Sequence, residues 1–216
     1  MKTKLLFGLA LLATLGMTSC KKDKDEPKEA TTVKIGDKDY AIVKIGDQTW
    51  TAQNYSGEGG VATSKTEYGK LYTINEAKAI QLPQGWRLPT KADFIKLLQD
   101  KGATFTSTTD PYYGETTTTD PIKSVISLTN WQYTPGTNTT GFNAFPVGFY
   151  HASFGSSLQS ENRTTVFWTS SVDPENKPIN FYIANKSDGS FEAAYENASR
   201  LDDEAKLSIR FVKDNN

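Results

Sequence analysis

Leu82-Pro83-Gln84-Gly85-Trp86-Arg87-Leu88-Pro89-Thr90-Lys91-Ala92-Asp93-Phe94-Ile95-Lys96-Leu97-Leu98 is the stretch whose local structure is most plainly written in its residues. Pro89 ends whatever precedes it, and Thr90 with Asp93 three positions on has the form of a capping box. Phe94, Leu97 and Leu98 then fall on one helical face, and Gly102 supplies the stop. The stripe predicts a short helix lying on a core, not a ligand-binding face.

Toward the N-terminus, Ile74-Asn75-Glu76-Ala77-Lys78-Ala79-Ile80 reads as another short helix that stops near Pro83, preceded by a glycine-rich loop at Gly57 to Gly60. Further out, Val33-Lys34-Ile35-Gly36-Asp37-Lys38-Asp39-Tyr40 is echoed by Val43-Lys44-Ile45-Gly46-Asp47-Gln48-Thr49-Trp50. Each copy sets a Gly-Asp pair between β-prone flanks, which predicts two hairpin turns, the first with a type II′ glycine at positive φ. The repeat is too short to indicate a solenoid.

Toward the C-terminus, residues 103–120 are rich in threonine, enclose Asp110-Pro111-Tyr112-Tyr113-Gly114, and show neither helical nor strand period. They predict a long exposed loop. Asp120 is placed to cap a brief helix that starts at Pro121 and buries Ile122, Val125 and Ile126. Trp131 to Gly141 returns to irregular chain. Candidate strands follow at Val147 to Phe154, Thr165 to Ser170, Ile179 to Ala184, Ser190 to Tyr195 and Leu207 to Val212, where Leu207, Ile209 and Phe211 share a face. Their connections are too short for crossovers, so the expected class is α+β, with two or three short helices, mostly antiparallel strands and long irregular loops.

Cys20 is the only cysteine, and it stands where an apolar run from Leu5 to Leu15, led by Lys2 and Lys4, gives way to charge. Met17-Thr18-Ser19-Cys20 puts small residues before the thiol, as a lipoprotein signal does, and the apolar run is too short to span a bilayer. The expectation is a signal peptide at 1–19, lipid on Cys20, and a solvated charged tether at 20–32. Lys21-Lys22-Asp23-Lys24-Asp25-Glu26 directly after that cysteine resembles the export signal that sends lipoproteins of Bacteroidota-type bacteria to the outer face of the outer membrane; a plain spacer is the other reading. The expected location is therefore the outer membrane, exposed at the cell surface or facing the periplasm.

Residues 33–216 remain, enough for a single domain with a sizeable core. Without Lys2 and Lys4 the 24 basic residues fall to 22 against 25 acidic ones, a formal charge of −3. Nucleic acid as a partner calls for a clustered basic face, which this composition does not supply. With the one thiol given to lipid, stability must come from packing, for which 11 Phe, 10 Tyr and 4 Trp are a source.

Several segments in order resemble the Fibrobacter succinogenes major paralogous domain, a family found in bacterial surface and secreted proteins. They are Ile45-Gly46-Asp47-Gln48-Thr49-Trp50 with Gln53-Asn54, Tyr68-Gly69-Lys70-Leu71-Tyr72, the Leu82 to Pro89 stretch, Thr140-Gly141-Phe142-Asn143-Ala144-Phe145-Pro146-Val147-Gly148-Phe149, Phe167-Trp168-Thr169-Ser170-Ser171 and Ser208-Ile209-Arg210-Phe211-Val212-Lys213-Asp214. The resemblance covers most of residues 43–213. It implies a C-type-lectin-like scaffold, the broad architecture of formylglycine-generating enzymes and phage receptor-binding proteins, with N- and C-terminal strands together and long loops on one side. It implies no established reaction. Where family members often carry two cysteines, this chain has Leu82 and Phe211, and the substitution implies an apolar contact between them.

Candidate chemistry is sparse. Glu192 with Glu196, or Asp202-Asp203-Glu204, lack the apolar bracketing that would shift a carboxylate, and His151 lacks the partners of a serine or cysteine triad. No cysteine–histidine zinc set and no Asp-x-Asp-x-Asp-Gly calcium loop is present, and Trp168-Thr169-Ser170 replaces the Trp-Asn-Asp of calcium-dependent lectins. The expectation is no enzyme, no cofactor and no metal. Trp50, Trp86 and Trp168 sit in framework segments and read as core, whereas Trp131 with Tyr133, and Tyr112 with Tyr113, lie among Thr, Asn and Gly in loops and read as candidate ligand contacts. The expected function is a lipid-anchored binding or adhesion module that meets a glycan or surface protein through loops around 103–144. A structural subunit of a surface assembly, or an enzyme with an unrecognised carboxylate site, stands as the alternative.

Overall fold

Two-residue turns at Gly36-Asp37 and Gly46-Asp47 fold the start of the domain into a meander of β1 (Thr32–Ile35), β2 (Lys38–Ile45) and β3 (Gln48–Thr51). Each turn has its glycine at φ near +60° (62° and 60°) and no positive φ at the aspartate, the φ signature of type II′. At Gly46 a Cβ would also collide with the Asp100 carboxylate, so this turn lies close against the end of the second helix. The computed structural model describes residues 31–107, 113–117, 120–155, 157–197, 201 and 204–215. The expected signal, Cys20 and nearly all of the tether fall outside them; Thr32 already belongs to β1.

Next come the ribbon of β4 (Val61–Ala62) and β5 (Lys70–Leu71) and the helices α1 (Ile74–Ala79) and α2 (Lys91–Gln99). They are followed by β6 (Thr106–Ser107), β7 (Tyr113–Thr117), β8 (Thr164–Val172), β9 (Pro178–Asn185), β10 (Phe191–Asn197) and β11 (Val212–Asp214). One sheet has the order β1-β2-β3-β11 and the other β6-β7-β10-β9-β8. Every strand pair in them is antiparallel, which gives the α+β class its mostly antiparallel character.

Both helices begin in full capping boxes, Thr73 with Glu76 and Thr90 with Asp93. Such caps matter because six and nine residues are too few for a helix to persist on its own. Phe94, Leu97 and Leu98 bury the inner face of α2 as their spacing predicts.

Three local expectations need correction. The threonine-rich 103–120 segment is not one loop, since β6 and β7 lie within it and extend the five-stranded sheet. Threonine is β-branched and suits a sheet margin even where no apolar alternation announces a strand. Val147 to Phe154 is not a strand; isolated bridges at Gly148, Phe149 and Tyr150 lead into a 3₁₀ turn, Ala152–Phe154. Of Leu207 to Val212, only the last residue joins a regular strand. The brief helix expected after Asp120 is present, as the 3₁₀ turn Asp120–Ser124, with Ile122, Val125 and Ile126 fully buried as expected.

The five-stranded sheet has an apolar cluster on each face. Phe167, Phe181, Ile183, Phe191 and Ala193 join Trp50, Phe94 and Phe142 on one side, while Val166, Trp168, Tyr182 and Ala194 join Tyr55, Tyr72 and Ile74 on the other. The alternation along each strand is the period-2 rule applied to a sheet buried on both sides. Residues 207–212 cross the centre of the molecule and are all buried. Their backbone bonds to Tyr72, Tyr55 and Thr51 and also to Val166 and Trp168 of β8, joining the first sheet to the second. Leu207, Ile209 and Phe211 share one cluster, as their alternation predicts, and Leu82 packs against that same cluster.

Candidate functional site

Arg210 is completely buried, and its surroundings contain neutral oxygens rather than a carboxylate. Its Nε donates to Asn54 Oδ1 (2.6 Å), Nη1 to the carbonyls of Thr51 (2.7 Å) and Phe142 (2.9 Å), and Nη2 to the carbonyl of Asn143 (3.0 Å). The guanidinium carbon also lies 4.7 Å from the centre of the Phe142 ring. Burial pulls the group down to about 9, so it is still cationic at neutral pH. It pins the irregular Thr140–Phe145 chain to the end of β3.

Arg87 stands in contrast, half-exposed between two acids. Its Nη1 donates to Asp93 Oδ2 (2.5 Å) and its Nη2 to Asp214 Oδ2 (2.9 Å), while Gln48 Nε2 donates to Asp93 Oδ1 (2.6 Å) and Asp214 Oδ1 (3.0 Å). The group therefore ties β3, the Gly85 turn, α2 and β11 together. Burial pushes the Asp93 carboxyl up, but bonds from Arg87, Thr90 and Gln48 outweigh it and bring it down to about 2. Bonds from Gln48 and then Arg87 hold Asp214 below its ordinary value as well. Every carboxylate here is satisfied by framework donors, so the arrangement is a clamp.

Ser127 to Gly136 forms a loop closed on itself, with Gly136 N donating to Ser127 O (3.0 Å). Trp131 is only 7% exposed, donates from Nε1 to Ser127 Oγ (3.1 Å), and meets Phe191 edge-on at 5.5 Å. The ring fills the loop's interior, so of this expected pair it is Tyr133 that offers most surface to a ligand. Tyr133 is 40% exposed, and its backbone N–H together with that of Thr134 donates to the buried Asn185 Oδ1 (2.9 and 3.1 Å). Leu128, on the same loop, is 61% exposed. Lys65 Nζ reaches Asn130 Oδ1 (2.9 Å) from outside. Of the other pair, Tyr112 lies outside the described residues and Tyr113 opens β7, away from this loop in the chain.

The remaining polar candidates serve the framework. Glu192 accepts from Tyr182 Oη (2.5 Å) and Lys186 Nζ (2.7 Å), and Asp202 and Asp203 lie outside the described residues. His151 is buried; its Nδ1 accepts from Ser153 N (3.2 Å) and caps the Ala152–Phe154 turn. Among the described residues no group of three or more His, Cys, Asp or Glu side chains has metal-holding proximity, and no helix is long and apolar enough to cross a membrane.

Trp50 and Trp168 are fully buried, as expected from their framework positions. Trp86 departs from that expectation: it is only partly buried and lines an open cleft of about 660 Å³ with β1, β2, β3 and β11. It follows Gly85 in a turn at the sheet margin and packs against the cluster of Val33, Ile35 and Phe211 while its remaining surface faces the cleft. That turn position was the available signal, and the framework reading passed over it.

The Fibrobacter succinogenes major domain family model matches residues 43–213, most of the chain. No curated protein and no solved structure matches it.

Proposed function

We propose that the chain, which belongs to the Fibrobacter succinogenes major domain family, is a lipid-anchored, extracytoplasmic binding or adhesion module. It acts without catalysis and recognises a glycan or a surface protein through loops carried on a C-type-lectin-like scaffold. The observation that carries this reading is the Ser127 to Gly136 loop. Its interior is filled by Trp131, its backbone is held by Asn185, and it presents Leu128 and Tyr133 to solvent beside Gln132 and Thr134. A loop already fixed in shape loses little entropy on binding, and a tyrosine with polar neighbours suits either partner. The antiparallel pairing of β3 with β11 supports the scaffold reading, because it brings early and late strands together. The placement of Cys20 supports the anchor and the outer-membrane location.

A glycan and surface-protein array probed with the full chain tests the reading. Retention of a ligand by wild type, with at least about a tenfold loss in Tyr133→Ala, is expected. Binding unchanged by Tyr133→Ala and Leu128→Ser rejects the loop as the contact, and turnover of a substrate by the purified chain rejects the non-catalytic role. Radiolabelled palmitate incorporated by wild type and lost in Cys20→Ser checks the anchor separately.

A further inference from the structure

The first sheet has one face packed on α2 and another only partly covered. Val43, Trp50 and Val212 are cross-strand partners on the packed face, and the next row, Lys44, Thr49 and Lys213, points the opposite way because side chains alternate along each strand. Lys44 pairs directly with Thr49 and Thr49 directly with Lys213, so the two lysine stems rise about 10 Å apart with a threonine between them. Both lysines are exposed, and among the described residues neither has a carboxylate within ion-pair distance. Two exposed ammonium groups on either side of a threonine make this row locally cationic, a setting that favours an anionic ligand.

The surroundings of this row narrow the chemistry. The half-buried indole of Trp86 and the side chain of Ile42 line the same cleft, giving it an apolar wall beside the cations. At Gly85 a Cβ would lie 3.3 Å from Lys213 Cε and 3.6 Å from Cδ, so the lysine stem runs alongside the glycine at the Trp86 turn. Thr49 donates its hydroxyl to Asn215 Oδ1 (2.6 Å), which leaves the oxygen's lone pairs as acceptors. Asp214 also lines the cleft, but Gln48 and Arg87 already engage its carboxylate. A simple anion site needs no indole, and a neutral sugar site needs no unpaired lysines.

We propose that this cleft binds an acidic saccharide, its pyranose ring lying on Trp86 and its carboxylate met by Lys44 and Lys213. The cleft volume is within the range of small-ligand sites. The site is separate from the Tyr133 loop and stands or falls without it.

Calorimetric titration of the full-length chain with tetrasaccharides of galacturonate, mannuronate and glucuronate, against a neutral maltotetraose, tests the assignment. At least one uronate is expected to bind at least about tenfold more tightly than the neutral sugar, and less tightly as salt rises. Trp86→Ala is expected to remove uronate binding. Lys44→Gln with Lys213→Gln, on exposed positions that leave the core intact, is expected to reduce acidic binding to the neutral level, and Tyr133→Ala to leave it unchanged. Failure of all three uronates to bind, equal affinity for acidic and neutral sugars, or indifference to the double lysine variant overturns the proposal. So does a Trp86→Ala protein that still binds inorganic phosphate or phosphatidylglycerol vesicles as strongly as wild type binds uronate, because the cleft is then a plain anion or membrane patch.

Discussion

Arg210 and Arg87 place the same guanidinium in opposite settings. Arg210 is fully buried and, among the described residues, neutralised by no carboxylate; it meets three carbonyls and an amide oxygen. Arg87, with its side chain 37% exposed, lies between two carboxylates. The difference separates two tasks. Irregular chain leaves carbonyls without ladder partners, and a buried cation with five fixed donors gathers them into one place. The exposed cation instead staples regular elements whose backbones are already paired, and water weakens what it contributes.

Replacing Arg210 by methionine has the largest expected effect, a loss of about 4 kcal/mol in urea unfolding, because three buried acceptors and one part-buried one lose their donor at once. A loss under about 1 kcal/mol would break the comparison, since the cost of burying the charge would then cancel the bonds it makes. Asp93→Asn ranks next, at about 2 kcal/mol, because it removes the acid of a capping box and the carboxylate held by Arg87 and Gln48.

The pH dependence sharpens the same contrast. Asp93 ionises at about 2 in the folded protein, below its ordinary value, so its stabilisation is complete above about pH 4 and fades as pH falls toward 2. Acid unfolding followed by circular dichroism is expected to show this limb, and Asp93→Asn to flatten it. Arg87→Gln is expected to cost about 1 kcal/mol, a difference that shrinks in high salt. Asp214→Asn comes last, at under about 0.5 kcal/mol, because that carboxylate is exposed and Asp93 still holds the arginine. A larger loss for Asp214→Asn than for Asp93→Asn would reverse the assignment of which acid secures the clamp.

Much of the framework was legible because its signals are local. The cap, stripe and stop of α2 all lie between Thr90 and Gly102, and the two Gly-Asp turns announce their own hairpins. The Thr73–Glu76 box is equally local. Arg210 was not legible. Alternation set Leu207, Ile209 and Phe211 on one face, and nothing nearby says that the opposite face is buried too, since the partners of Arg210 are backbone carbonyls at 51, 142 and 143. The tryptophans failed in opposite directions for one reason. Trp131 lies in polar sequence but its loop closes around it, whereas Trp86 lies in framework sequence but at a sheet margin that leaves it only partly buried. Local composition reports neighbours along the chain, and burial depends on neighbours in space.

The crossing of residues 207–212 through the centre also sets the order of assembly. Asn54 meets Arg210 across 156 positions, and β3, already paired with β2, finds its second partner only in β11. Contacts that distant close slowly. Until the segment after Lys206 is in place, both apolar clusters lack a wall, because Val212 belongs to one and Leu207, Ile209 and Phe211 to the other. Those six residues therefore close both sides of the five-stranded sheet at once.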